Sequence, residues 1–302
     1  MLQFSGLSKR YRTSREPALL GFDLEVRDGE IVGLVGLNGA GKTSAIRIAS
    51  GVTLPSGGTV RVDGHDIVGE KRLASARLGW VPEFPNFEPQ GRAQELLEYF
   101  AGYYALEPGK TSEWIQFLLK QVGLSGREHD RVGTYSQGMK KRFALAAALI
   151  HRPKNLLLDE LLNGLDPEGI RFARHLILSL RSQGCAVLLS SHILTEVEQL
   201  ADRIAFVHKG KLLRILPHQD LERAPGARLR VQVTHPAEGV LEYLRTVGPT
   251  TWEGRSYVVS SPQVGPHQVN RELLQRGFEV AELHTEREDL ESYFFRLIEE
   301  AG

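Results

Sequence analysis

Between the apolar run Ile31-Val32-Gly33-Leu34-Val35 and a segment of helical texture from Ser44 to Ala49, the chain reads Gly36-Leu37-Asn38-Gly39-Ala40-Gly41-Lys42-Thr43. The octapeptide fits G-x-x-x-x-G-K-[ST] without a gap. The apolar run is of buried-strand type, and Ile46 and Ile48 give the following helix residues for a core. The glycines let the backbone wrap closely around phosphates, where a Cβ would clash or forbid the required φ. Asn38, Gly39, Ala40, Gly41, Lys42, Thr43 and Ser44 are therefore the candidate nucleotide ligands. Lys42 would neutralise the β- and γ-phosphates, and the Thr43 hydroxyl would ligate Mg2+. A glycine-rich turn that matched by chance would need neither the strand before it nor the helix after it.

The rest of the chain supplies a sheet for that loop. Residues 2–30 and 58–67 alternate apolar with polar and break at Asp28-Gly29, Ser56-Gly57-Gly58 and Asp63-Gly64, as antiparallel β-structure does. Residues 88–129 carry Leu96, Leu97 and Phe100, then Trp114, Ile115, Leu118 and Leu119, at helical spacing. Three apolar runs follow, 156–158, 186–189 and 204–207, separated by helical segments at 168–182 and 193–201. That alternation predicts a parallel sheet. The expected fold is α/β: a P-loop NTPase core with an antiparallel β flank and a helical insertion at about 84–150, all within residues 1–220.

Beyond residue 220 the texture changes, and a small α+β domain is expected over 221–302. Ala224-Pro225-Gly226 reads as the linker. Leu229, Val231 and Val233 alternate as in a half-buried strand, and Val240, Leu241, Leu244 and Val247 repeat helically. Residues 256–260 are strand-like, 269–276 helical and 278–283 strand-like again. Residues 288–298 form an amphipathic helix with Leu290, Tyr293, Phe294, Leu297 and Ile298 on one face, and Thr285 and Glu288 are spaced as its capping box. The order is β-α-β-α-β-α. No catalytic constellation falls in it, so its expected role is packing, dimerisation or partner contact.

Chemistry concentrates before residue 220. Leu156-Leu157-Leu158-Asp159-Glu160 is a strand ending in two carboxylates, where acidic groups meet ligand at the carboxyl edge of a parallel sheet. Asp159 is the candidate for Mg2+, directly or through water, and the local alternative is two solvated carboxylates capping the next turn. Ser190-Ser191-His192 ends another apolar strand. Tyr135-Ser136-Gln137-Gly138-Met139 opens a helix with a turn that can present backbone N–H groups and a hydroxyl to an anion. In Asn163-Gly164-Leu165-Asp166-Pro167, an aspartate before proline is also a local helix cap.

Phosphate loop, Ser-x-Gly turn, acidic strand, Gly-Leu-Asp turn and Ser-Ser-His, in that order, resemble the nucleotide-binding subunit of an ATP-binding cassette (ABC) transporter over about residues 1–220. The resemblance implies ATP and Mg2+ as cofactors and hydrolysis of ATP to ADP and phosphate. It assigns Glu160 to polarising the attacking water and His192 to contacting the γ-phosphate. Tyr11, in Lys9-Arg10-Tyr11, would stack on adenine, against the alternative of a core tyrosine on an edge strand. Ser136, Gln137 and Gly138 would bind the γ-phosphate held by a second cassette, toward which Asp166 would also reach. Three departures stand out. Glu83 occupies the position where the family has glutamine, where it can still ligate Mg2+ but adds negative charge beside the γ-phosphate. Leu161 replaces a proline after the acidic pair, which is expected to loosen that turn. Tyr135 and Gln137 replace leucine and glycine in the signature. The form of these motifs resembles the exporter-type group, which serves permeases for drugs, ions, polysaccharides or lipids.

Composition narrows the partners. Lys plus Arg and Asp plus Glu are both 37, giving no net charge, which argues against a nucleic-acid binder. The basic clusters Lys9-Arg10-Tyr11-Arg12 and Lys140-Lys141-Arg142 read as solvated faces. Phe143 to Ile150, the longest apolar stretch, falls far short of the ~20 residues of a membrane span, and the N-terminus lacks a signal-peptide pattern. The single cysteine, Cys185, reads as a buried small hydrophobe of a reducing compartment. The expectation is a cytoplasmic ATPase, peripheral on the inner face of the cell membrane, paired with a separate permease and a second cassette. The alternative is a regulatory or assembly ATPase of low turnover, which Glu83 keeps open. A soluble relative acting on nucleic acid or ribosomes would carry two cassettes, a long coiled coil or zinc-binding cysteines, and none is present.

Overall fold

The computed structural model describes residues 1–104, 106, 108–217, 228–235, 238–260, 262–286 and 290–301. It divides into two compact units, Met1–Leu216 and Pro217–Gly302.

The first unit is built on a six-stranded sheet. Five of its strands are β3 (Ile31–Val35), β6 (Leu78–Val81), β7 (Asn155–Asp159), β8 (Ala186–Ser191) and β9 (Arg203–His208). With β10 (Lys211–Pro217) at one edge, the order is β10-β9-β3-β8-β7-β6. Every residue of β3, β7 and β8 is buried, as expected of strands covered on both faces. The parallel registers fix the site: Val35 lies opposite Ser191, Asp159 opposite Ser190, and Val81 opposite Leu158. The segments that follow these strands therefore emerge at one carboxyl edge. They begin with Gly36, Pro82, Glu160 and His192.

The antiparallel flank has the order β2-β1-β4-β5, with β1 (Leu2–Lys9), β2 (Leu19–Val26), β4 (Gly57–Val62) and β5 (His65–Asp66). It shares one core with the central sheet, in which Phe4 and Phe22 meet edge to face near Val32, Leu34, Ile46 and Leu188. Helix α1 (Lys42–Ala49) buries Ile46 and Ile48 there. The short α2 (Lys71–Ser75) follows β5. Helices α3 (Ala93–Gly102), α4 (Pro108–Gln121) and α5 (Gln137–Ala148) lie between β6 and β7. The helical expectation for 88–129 holds for α3 and α4 but not for 88–92, which turn and end in a bridge between Arg92 and Arg131, nor for 122–129, where Gly123 and Gly126 take positive φ and the chain turns. Helix α6 (Pro167–Ser182) joins β7 to β8, and the short α7 (Leu194–Glu198) follows β8. Contact of α7 with β3 depends on Gly33, where a Cβ would come 2.0 Å from Val197 Cγ1. Among the described residues no helix is long and apolar enough to cross a membrane.

The second unit contains β11 (Arg228–Val233), α8 (Glu238–Val247), β12 (Thr250–Glu253), β13 (Ser256–Ser260), α9 (Pro266–Gln275), β14 (Val280–Glu286) and α10 (Leu290–Ala301). The order β12-β13-β11-β14, with antiparallel neighbours, is the split β-α-β arrangement of ferredoxin-like folds. Leu229, Val231 and Val259 pack against Val240, Leu244, Val269 and Leu273 of α8 and α9. Strand β12 is absent from the expected β-α-β-α-β-α order. It is an edge strand with no buried position, so it carries no alternating apolar signal. Leu290, Tyr293, Phe294 and Leu297 of α10 are buried. The Ala224-Pro225-Gly226 linker and Glu288 of the expected capping box lie outside the described residues, and Thr285 belongs to β14.

Candidate functional site

The loop after β3 is shaped for an anion. Gly41 caps α1 at φ 112°, a conformation closed to residues with a Cβ, and a Cβ there would lie 2.5 Å from the Ala18 carbonyl oxygen. Helix α1 has no side-chain cap and no acidic residue in its first turn. Its first N–H groups thus remain for a ligand, with the positive end of the helix dipole behind them. Lys42 is buried, and its ammonium donates to the Gly36 carbonyl at 2.7 Å. Tyr11 follows β1 in a turn, half-buried, with its hydroxyl 3.2 Å from Ser44 Oγ and the Lys9 ammonium 4.9 Å from its ring centroid. It is neither on a strand nor in a core.

The acidic pair meets this loop. Asp159 Oδ1 accepts from Ser190 Oγ at 2.7 Å and Thr43 Oγ1 at 3.3 Å. Burial pushes the Asp159 carboxyl above the usual range, and those two hydroxyls oppose the shift. Glu160 is 5% exposed and sits at φ 49°, a left-handed conformation uncommon for a residue with a side chain. Its N–H is held by the carbonyl and hydroxyl of Ser190, each at 3.1 Å. Its carboxylate stands 3.6 Å from the Lys42 ammonium and 2.8 Å from His192 Nδ1, and accepts the His192 N–H at 3.3 Å. Residues 38–44, Glu83, Glu160, Asn163 and His192 line one cavity of about 610 Å³. Asn163 was not among the expected ligands.

The oxygens at this edge suit Mg2+. Cis ligands of an octahedral Mg2+ at about 2.1 Å stand about 3 Å apart, close to the Thr43 Oγ1 to Asp159 Oδ1 separation of 3.3 Å. Glu83 lines the same cavity. Among the described residues no three His, Cys, Asp or Glu side chains gather into a metal cage. That is the ordinary situation for an ion completed by phosphate oxygens and water.

Ser136, Gln137, Gly138 and Asp166 do not line this cavity. Ser136 is exposed and caps α5, accepting from the Met139 N–H at 3.2 Å. A Cβ on Gly138 would meet the Gly164 carbonyl at 3.5 Å, so the Ser-x-Gly and Gly-Leu-Asp turns adjoin on the surface. Asp166 caps α6, accepting from the Gly169 N–H at 2.9 Å.

Two expectations from the sequence fail here. Lys140-Lys141-Arg142 is not a solvated face. Lys141 is 7% exposed and donates to the Glu160 carbonyl at 2.6 Å and the Asn163 carbonyl at 2.7 Å, while Arg142 donates to the Gly123 carbonyl at 2.9 Å. Burial lowers the pKa of Lys141, opposed by the carboxylates of Glu160, Glu83 and Asp159. Nor is the turn after Glu160 loose, since Leu161 is fully buried and Lys141 pins the carbonyls on either side of it. One signal in the sequence marked Lys141: it precedes the apolar run Phe143–Ile150, so its helix is enclosed on most sides.

Comparison with known proteins agrees with this geometry. The family model for ABC transporters matches residues 19–163. The bacitracin transport ATP-binding protein BcrA of Bacillus licheniformis is 32% identical over 302 residues, spanning 99% of this chain and 97% of its own. An uncharacterized ABC transporter ATP-binding protein of Bacillus subtilis (strain 168), YhcH, is 41% identical over 220 residues, 70% of this chain and 69% of its own. Among solved structures, an ATP-binding subunit of an ABC transporter superposes with a TM-score of 0.69 at 27% identity, covering 74% of this chain and 92% of that one. A dimeric cassette in a post-hydrolysis state with ADP and Pi shares the fold, with a TM-score of 0.67 at 22% identity over 72% of this chain and 99% of its own. With its motifs on this fold, and a relative matched over nearly the whole of both chains, the protein belongs to the ABC transporter ATP-binding family.

Proposed function

We propose that the chain hydrolyses ATP with Mg2+ at the carboxyl edge of its central sheet and supplies that energy to a separate membrane permease. The observation that carries the reading is Glu160, whose carboxylate touches both the Lys42 ammonium and His192 inside the loop-lined cavity. A γ-phosphate entering the loop competes for Lys42. As the ammonium turns to phosphate oxygens, Glu160 is left as the base that takes a proton from the attacking water. His192 holds that carboxylate in place and offers its second ring nitrogen to the phosphate. Thr43, Asp159 and Glu83 would hold Mg2+, which offsets charge on the β- and γ-oxygens. Tyr11, beside Ser44, is the adenine platform in this reading.

The exposed Ser136-Gln137-Gly138 turn and adjoining Asp166 lie outside their own cavity, which supports a second cassette as the partner whose nucleotide they complete. In domain terms, residues 1–220 form the nucleotide-binding domain with a helical subdomain at about 84–150, and 221–302 an accessory domain. Relatives named for bacitracin transport, Nod factor export and linearmycin resistance favour export, with the chain docked on the cytoplasmic side of its permease.

Glu160→Gln tests the reading: turnover should nearly vanish while ATP binding persists, with an ATP-dependent dimer on gel filtration. Undiminished turnover would remove Glu160 from its role. Glu83→Gln addresses the low-turnover alternative, because an acid that restrains hydrolysis would yield a faster enzyme when neutralised.

A further inference from the structure

Helix α5 begins at the Ser136 turn and, within its first turns, sends one side chain back to the acidic strand. We infer that Lys141 is a positioning residue for hydrolysis: through the Glu160 and Asn163 carbonyls it holds the left-handed Glu160 turn that aims the carboxylate at Lys42 and His192. The inference rests on the ATPase reading above. Its geometry is specific. Lys141 makes no ion pair with a carboxylate among the described residues, and its two bonds of 2.6 and 2.7 Å both go to backbone oxygens, one on each side of Leu161-Leu162. Glu160 sits at φ 49°, and a strained non-glycine residue keeps such a conformation only while its surroundings hold it. Ser190 fixes the N–H of Glu160 and Lys141 fixes its carbonyl, so the peptide on each side is clamped. With the Lys141 clamp gone, Glu160 can relax to negative φ, which swings its carboxylate away from Lys42 and His192.

The placement also joins two functional segments. Lys141 lies five residues beyond Ser136, about 7.5 Å along the helix axis. The Asn163 carbonyl that it holds opens the turn leading to Gly164 and Asp166. A displacement of α5 at the Ser136 end is therefore felt at the hydrolytic carboxylate through a buried side chain.

Lys141→Met is nearly isosteric and removes both donors; Lys141→Arg keeps donors at that place. Steady-state ATPase of the full chain with Mg2+ should show kcat lowered about 10- to 100-fold in Lys141→Met, with KM changed less than about threefold. Hydrogen exchange should show faster amide exchange confined to Leu161–Leu165 in the methionine variant and near wild-type exchange in the arginine variant. Turnover of Lys141→Met within about twofold of wild type overturns the inference, as does a rise in KM that accounts for the loss. Unaltered exchange at 161–165 overturns it too. If the methionine variant does not fold, the arginine variant decides: turnover and exchange at 161–165 that move together, both near wild type or both impaired, support the inference, and turnover lost with unaltered exchange, or kept with fast exchange, counts against it. A wild-type chain without turnover would defeat the ATPase reading alone, leaving the exchange measurement to judge Lys141.

Discussion

Ser190 is fully buried, and its hydroxyl donates to Asp159 at 2.7 Å while receiving the Glu160 N–H at 3.1 Å. Ser190→Ala deletes only that oxygen. The Glu160 N–H keeps the Ser190 carbonyl at 3.1 Å, so the main loss is a hydrogen bond to a buried carboxylate. Such bonds contribute about 1.5–3 kcal/mol, and in a unit of 216 residues this corresponds to a fall in Tm of about 3–12 °C. Because the chain has two units, urea unfolding should be followed on the transition that ATP and Mg2+ shift upward. The control is Asp159→Asn, whose neutral amide oxygen accepts the same bond for only about 0.5–1.5 kcal/mol. Ser190→Ala should therefore cost about 1 kcal/mol less in the Asp159→Asn background, as coupling between touching residues requires. An equal cost in both backgrounds, or a cost below about 0.5 kcal/mol in the parent chain, would refute the claim that Ser190 supports the carboxylate.

Gly41→Ala forces a Cβ to within 2.5 Å of the Ala18 carbonyl at φ 112°. It should lower stability by about 1–3 kcal/mol and weaken ATP binding, measured by titration calorimetry, more than tenfold. Gly39→Ala, with open space around its Cβ, should be milder in both measurements. Burial pushes the Cys185 thiol up to about 12, so at pH 8 only about one molecule in 10⁴ carries the thiolate. Iodoacetamide should leave the native chain unlabelled over hours at that pH and modify it within minutes in concentrated urea. Labelling of the folded chain at the rate of a free thiol would contradict the burial.

The parts of the site that were legible in the sequence are those where chemistry demands a rare residue in a fixed local pattern. Gly36–Thr43 between a buried-type strand and a helix, and two carboxylates closing Leu156–Leu158, suit phosphate and metal binding and little else. What escaped was the support around them. Ser190 extends an apolar strand and looks like its polar end, yet it is as buried as the leucines before it. Lys141 reads as surface charge because a lysine is seldom buried, and only the folded turn supplies the two carbonyls that make its burial tolerable. Strand β12 was illegible for the opposite reason: at the sheet edge Trp252 stays half exposed, so no apolar period marks Thr250–Glu253. Residues 122–129 kept a helical texture, but positive φ at Gly123 and Gly126 turns the chain there.

The gap behind the phosphate loop sets a dimension of the site. With no side chain at Gly33, Val197 descends to where a methyl group would be, and that valine lies five residues beyond His192. The thickness of the layer between β3 and α7 is therefore the length standard from which the height of the histidine above the sheet is measured. Adding one carbon at residue 33 would lengthen that standard from below and raise α7 together with the loop it anchors. A substitution that touches no ligand would then detune the 2.8 Å contact between His192 and Glu160 through the helix packed over it.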